Sequence, residues 1–492
     1  MTSHLRSQCG GIHVQYTPQF AWPAGYTGKP GSDLTDTRQR GFRSWRQGSQ
    51  RRLYSGWPNL FCWRTVSLEP NSFLFLTSSS VADLLYPHGG TGGGLHVVAH
   101  VEECGASAHG SGRKHTVIGL SSWVPPLLLV TWLQACSCPT WALWQSFKEH
   151  LVSNDGRVID FHTPARHSTS EGQAYALFMA LVDNDQEYFD KLLRWTENNL
   201  AQGDLKARLP AWQWGQKADD SWGVIDPNSA SDADLWLAYT LAEAGRLWQR
   251  PKLISLARSL ARRILLEETV RLPGLGLMLL PGKEGFVLQT DRWRLNPSYL
   301  PLQLLRRLEQ LTPGNGWQEI LNNTLTMLQA SRSGFIPDWI LFDEKHGFLP
   351  DHESGSRGSY DAIRVYLWAG MLHPEDPART TLLNLLAPMA DLIAERGAPP
   401  QTIDTKTNRA SGLGPAGFSA ALLPLLKSLH HSRWISKLQN QAAELSGHPD
   451  YYYDQVLALF ALGWMEGRYR FGPQGHLLPR WESSCTAAAD PS

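Results

Sequence analysis

From Trp141 onward, apolar residues recur every three or four positions in one stretch after another, and Gly- and Pro-rich loops divide the stretches. That spacing gathers apolar side chains onto one face of a helix. It predicts helices over 172–181, 188–200, 232–247, 253–268, 300–310, 316–331, 359–371, 380–396, 419–428 and 452–467. In the third of these the stripe is Leu235, Ala238, Leu241, Ala242 and Gly245. Strand-like alternation is scarce. About a dozen helices, each with its loop roughly 30 residues long, cannot bury their apolar faces alone, but stacked as pairs they close into a toroid of helical hairpins. In such an all-α ring one face is lined by helix N-termini and connecting loops, and active residues are expected there.

The first 116 residues follow no such pattern. They carry 11 Lys and Arg against 6 Asp and Glu, and Met1 is their only methionine. Their glycines (Gly89-Gly90, Gly92-Gly93-Gly94) lack the strand–turn–helix setting of a phosphate cradle. Segment 1–116 reads as poorly ordered, or as an upstream stretch wrongly included by an early start codon; a genuine N-terminal extension is the alternative. Arg113-Lys114 then precedes an apolar run centred on Leu127-Leu128-Leu129-Val130 and ending at Ala135-Cys136. A basic start, a short apolar stretch and a small residue describe a signal-peptide-like segment over 117–135. A buried strand is the plainer reading, and Leu133-Gln134-Ala135-Cys136 also resembles a lipoprotein cleavage box. Pro125-Pro126 interrupts the run, so no stable membrane span is expected.

The body is expected over 136–492. It holds no cysteine between Cys138 and Cys485, and these two could form a terminal disulfide in an oxidising compartment, in keeping with a periplasmic or secreted protein. No Cys/His set has metal-ligand spacing, and no metal or cofactor is expected. The chain has 45 basic and 45 acidic residues, which excludes a general nucleic-acid binder.

Three acidic sites stand at predicted helix starts: Ser170-Glu171-Gly172, Ser231-Asp232-Ala233-Asp234 and Tyr360-Asp361-Ala362-Ile363-Arg364. Acids at helix N-termini are favoured by the dipole and need no further role. Here, however, Gly172 clears space beside Glu171, two acids flank Ala233, and Asp361 can pair with Arg364 among apolar neighbours. The chain also has 21 Trp, which suit either a large core or platforms for sugar rings. Trp212, Trp214 and Trp222 fall in a loop-rich stretch between the first two acidic sites, whereas Trp195, Trp236 and Trp248 lie in or beside helices and are expected in the core. Carboxylates and aromatic platforms without metal or nucleotide motifs point to glycoside hydrolysis, in which one acid protonates the leaving oxygen and a second carboxylate activates water or attacks the anomeric carbon.

Several runs carry a more specific likeness: Thr169-Ser170-Glu171-Gly172-Gln173, Leu209-Pro210-Ala211-Trp212, Asp226-Pro227-Asn228-Ser229-Ala230-Ser231-Asp232-Ala233-Asp234, Asn296-Pro297-Ser298-Tyr299 and Ser359-Tyr360-Asp361-Ala362-Ile363-Arg364. In order and spacing the region from about Cys138 to Cys485 resembles glycoside hydrolase family 8, most closely the branch that accompanies bacterial cellulose synthase. The resemblance implies an (α/α)6 barrel that cuts internal β-1,4 linkages of cellulose with inversion. It implies Glu171 as proton donor, Asp361 as general base and Asp232 as the residue gripping the sugar at the cleavage point, with the choice of water activator between Asp232 and Asp361 left open. Substrate contacts are expected from Tyr175, Trp212, Trp214, Trp222, Asp234, Tyr299, Tyr360 and Arg364. A β-1,4-glucan is the expected partner, with the cellulose synthase complex as a further one. The alternatives are a non-catalytic glucan-binding barrel and a family member acting on another β-glycan, such as mixed-linkage glucan, chitosan or xylan.

Overall fold

The computed structural model describes residues 141–482. Segments 1–116 and 117–135, and both Cys138 and Cys485, lie outside the described residues.

The helices follow in order as α1 (Ala142–Leu151), α2 (Ser170–Val182), α3 (Gln186–Leu200), α4 (Ser231–Leu247), α5 (Pro251–Glu267), α6 (Leu302–Leu311) and α7 (Trp317–Gln329). Then come α8 (Ile363–Gly370), α9 (Arg379–Leu386), α10 (Pro388–Arg396), α11 (Ala416–Ala421), α12 (Leu423–Ser428), α13 (Ser432–Ala443) and α14 (Tyr452–Met465). Burial sorts them into two rings. Every residue of α2 except Glu171 is buried, as is all of α8 and all of α4 up to Gly245. A helix apolar on all sides belongs inside. By contrast α5 buries one stripe only: Leu253, Leu256, Ala257, Leu260, Ala261 and Ile264. Inner α2, α4, α6, α8, α11–α12 and α14 alternate with outer α3, α5, α7, α9–α10, α13 and α1, the (α/α)6 barrel.

The centre is filled by aromatic rings from the inner helices. Trp236 of α4 meets Tyr175 and Phe178 of α2 at 5.8 and 4.9 Å, Trp368 of α8 at 5.3 Å and Phe460 of α14 at 4.9 Å. Edge-to-face and tilted packing of this kind adds to the burial of large apolar rings. Much of the tryptophan content serves the core: Trp141, Trp144, Trp195, Trp236, Trp293, Trp317, Trp339, Trp368 and Trp464 are buried. Trp248, expected there too, is only partly covered, and its indole N–H donates to Asn184 at 2.8 Å.

Three predicted helices come out differently. The stretch 380–396 breaks between α9 and α10 at Pro388, and 419–428 breaks between α11 and α12 near Pro424. Proline lacks an N–H and clashes with the preceding turn. The stretch 359–371 is regular helix only from Ile363; the turn before it is capped by Asp338, which accepts from the N–H groups of Ser359, Asp361 and Ala362. Helices α1 and α13 escaped the periodicity. Short antiparallel strands also exceed the expectation. Ser168–Thr169 pairs with Gln213–Gln216, which pairs with Trp222–Asp226, and Arg357–Gly358 pairs with Thr402–Asp404. The first of these leads straight into α2, and Arg357–Gly358 leads into the turn before α8. They are two to five residues long and too short to show an alternating pattern.

Candidate active site

Glu171 lies in the first turn of α2, Asp232 in the first turn of α4, and Asp361 in the turn that enters α8. Thr169 caps α2 by accepting the Gly172 N–H at 3.0 Å. No side chain caps α4; Asp232 Oδ1 accepts the adjacent Ala233 N–H at 2.8 Å. These three starts come together around Arg364, whose side chain is 4% exposed and therefore unable to draw on bulk water for partners.

The guanidinium is shared among the three acids. Its Nη1 donates to Glu171 Oε2 and, at 3.1 Å, to Asp232 Oδ2. Its Nη2 donates to Asp361 Oδ1 at 2.7 Å and to Ser298 Oγ at 3.1 Å. The Tyr175 hydroxyl lies 3.3 Å from Nη1, and the Tyr299 ring centre lies 5.4 Å from the guanidinium carbon. A buried cation in contact with three carboxylates fixes their mutual positions by charge-assisted hydrogen bonds. Burial, and then the negative charge of Glu171, push the Asp232 carboxyl up to about 8, against the pull of Arg364.

Two further residues build this cluster without having been singled out in the sequence. The Tyr452 hydroxyl, from the first turn of α14, donates to Glu171 Oε1 at 3.3 Å. It fills the space that Gly172 clears: a Cβ on Gly172 would lie 2.9 Å from that hydroxyl. Asp338 Oδ1 accepts from the backbone N–H groups of Ser359, Asp361 and Ala362 at 2.7, 3.1 and 2.9 Å. It thereby caps the entry to α8 from outside that helix and sets where Asp361 points. Burial first, then the Asp361 charge, raise the Asp338 carboxyl to about 6. The available signal for Asp338 was an acid inserted in the apolar run Phe335–Leu341; for Tyr452 it was three consecutive tyrosines opening a helix.

The other expected contact residues are distributed as follows. Tyr175, Tyr299 and Arg364 belong to the cluster just described. Tyr360 packs its ring on Phe418 at 5.1 Å, and its carbonyl accepts from the Tyr453 hydroxyl. Trp212 joins the two helix starts through its backbone: its carbonyl accepts from Ser170 N and its N–H donates to Asn228 O. Trp214 and Trp222 stack on each other at 5.5 Å, and the Arg157 guanidinium covers both. Together they brace the β-hairpin, with Trp222 still 46% exposed. Asp234, also expected against substrate, has a fully buried side chain turned to Glu268, because the helical repeat carries it away from Asp232 into the α4–α5 contact.

The sequence profile of Glycosyl hydrolases family 8 matches residues 119–467. The chain is 46% identical over 378 residues to the endoglucanase of Xanthomonas axonopodis pv. citri, covering 76% of this chain and 97% of that one. It is 44% identical over 371 residues to the endoglucanase of Salmonella typhi, covering 75% and 99%. The crystal structure of an endo-1,4-D-glucanase from Vibrio fischeri superposes with a TM-score of 0.67 at 47% identity, covering 70% of this chain and 99% of that one.

Proposed function

The chain belongs to glycoside hydrolase family 8, and from that premise we propose that it is an endo-β-1,4-glucanase acting on cellulose by inversion. The observation that carries this reading is the convergence of Glu171, Asp232 and Asp361 on the single buried guanidinium of Arg364. Glu171 protonates the glycosidic oxygen as the bond to the anomeric carbon breaks. Asp361 takes a proton from the water that attacks the opposite face of the ring. Asp232 grips the sugar at the cleavage point, and Arg364 keeps the three in register. Attack by that water on the face opposite the leaving oxygen inverts the anomeric carbon without a covalent intermediate.

The reading extends to place. The signal-like pattern over 117–135 supports export to the periplasm or beyond, and likeness to endoglucanases of cellulose-handling type supports a role in trimming glucan during bacterial cellulose synthesis, beside the synthase. Among the described residues no helix is long and apolar enough to cross a membrane.

The test follows viscosity and reducing ends on carboxymethyl cellulose with the whole chain. The wild type should cut viscosity far faster than it releases reducing ends. Glu171→Gln and Asp361→Asn should each lose roughly 100- to 10,000-fold in kcat. Full activity in Glu171→Gln would sink its role as the acid. A folded wild-type chain that binds the glucan without lowering its viscosity would favour a binding barrel.

A further inference from the structure

Beneath Asp232 lies a second acidic pair that the chemistry above does not use. Asp234, in the first turn of α4, faces Glu268, the residue that caps the end of α5, and both side chains are fully buried. Glu268 Oε1 accepts from the Ser229 hydroxyl at 2.5 Å. Asp234 Oδ1, Asp234 Oδ2 and Glu268 Oε2 find no donor among the described residues. An ionised carboxylate can only accept. Two of them face to face would leave three buried oxygens unsatisfied and two like charges in contact. A single proton between the carboxyls resolves both, since it turns Asp234 into a donor to Glu268.

The backbone leading into Asp232 is tied to Glu268 and to the strand exit beside it. Ser229, three positions before Asp232, bonds Glu268 and accepts the Lys283 N–H at 3.2 Å. Ser231 N donates to Pro281 O at 2.9 Å, and Leu280 N donates to Glu268 O at 2.7 Å. Gly282 sits so close that a Cβ there would lie 2.3 Å from Ser229 O. The strand exit at 280–283, the end of α5 and the start of α4 are thus stitched at one point, and Asp232 is carried on it.

We propose that Asp234 and Glu268 share one proton in the folded protein, and that this buried bridge is the positioning device that holds Asp232 against Arg364. The role of Asp232 in this statement rests on the function proposed above; the shared proton does not. The other charged groups acting on the pair are Asp232 on its own helix and Glu267 beside Glu268. Both are acids, so both favour retention of the proton. Burial, foremost, lifts Asp234 well above the usual carboxylate range and Glu268 to about 8.

The consequence is a proton linkage. In the unfolded chain both carboxyls ionise near pH 4. Above about pH 4 the folded state keeps at least one proton that the unfolded state loses from this pair, so this contribution to stability falls as pH rises. The experiment is urea unfolding of the full chain from pH 5 to pH 7.5 for wild type and for two double variants, Asp234→Asn with Glu268→Gln and Asp234→Asn with Glu268→Leu. With no carboxyl left at either position, no proton is taken up there on folding. The folding constant of each variant relative to wild type should therefore rise at least about tenfold per pH unit. A ratio that does not change with pH overturns the shared proton. Neither variant can ionise at the pair, so either one folding is sufficient. For positioning, kcat and KM are measured on carboxymethyl cellulose at pH 6. Glu268→Gln should keep most of kcat, whereas Glu268→Ala should lose more than about tenfold in kcat with KM little changed. Equal kcat in the two variants overturns the positioning role. A wild-type chain inactive on that glucan would count against the proposed function and leave the unfolding result standing.

Discussion

Asp338 shows how much of the site rests on one carboxylate that touches no substrate-facing atom. It gathers three backbone N–H groups of the turn carrying Asp361, and Arg357 lies 3.4 Å from its other oxygen. Removing it leaves three donors with no acceptor at the place where the proposed general base must be held to within a fraction of an ångström. Asp338→Ala should lower kcat about 100-fold with a smaller change in KM, while Asp338→Asn, which keeps Oδ1 as an acceptor, should lose much less. The pH dependence follows from a folded value near 6, above the value of about 4 in an unfolded chain. The folded state holds the extra proton between these limits, so this group's contribution to stability declines as pH rises from about 4 to about 6 and is constant above. Relative to Asp338→Asn, the unfolding midpoint of wild type should fall as pH rises from about 4 to about 6, and the two should run parallel beyond it. The three catalytic candidates were legible as residues because each stands at a helix start in a distinctive run. Asp338 was not, because its partners lie about twenty positions further along and are backbone atoms, which no side-chain pattern announces.

At the level of elements, periodicity found the long helices and missed the junctions. α2 and α4 were found because their apolar content is dense; that they are inner helices follows from burial on all sides, a property of what surrounds them. What joins elements is often a buried ion. Glu243 of α4 is fully buried, with Oε1 accepting from Arg307 of α6 at 2.5 Å and Oε2 from Arg246 at 2.9 Å and from Leu477 N at 2.8 Å. One side chain thus ties two neighbouring inner helices to the C-terminal hairpin Tyr469–Phe471/Leu477–Pro479. Glu243→Ala strands the largely buried Arg307 without its acid and should destabilise the protein by about 3–5 kcal/mol, read as a lower urea midpoint. Glu243→Gln should do less, because the amide oxygen still accepts.

Across the whole molecule, the ring has to close and its ends have to be strapped. α1 meets α14, where Gly463 lies so near the Trp141 indole that a Cβ would sit 2.8 Å from it. The C-terminal segment then ties back over the barrel: the Tyr239 hydroxyl donates to Gly475 O at 2.9 Å, and the Trp481 indole donates to Leu181 O at 3.2 Å. Gly475 has a φ of +80°, and a Cβ there would come within 1.9 Å of Gln303 O. Both facts require glycine. Gly475→Ala should therefore destabilise the fold by more than about 2 kcal/mol, with a drop in melting temperature as the measurement.

The sequence by itself determined the helical character of the body, the three acids at helix starts, and the family, because these depend on residue type and near-neighbour spacing. Tertiary structure alone decided that the three acids share one guanidinium, that Trp214 and Trp222 stack on each other, and that Asp234 faces Glu268 in the interior. Those facts join positions up to 193 residues apart, as Glu171 and Arg364 are, and depend on which faces the closed ring turns toward each other. A periodic pattern fixes the face of a helix; only the packing of all the helices fixes what that face meets.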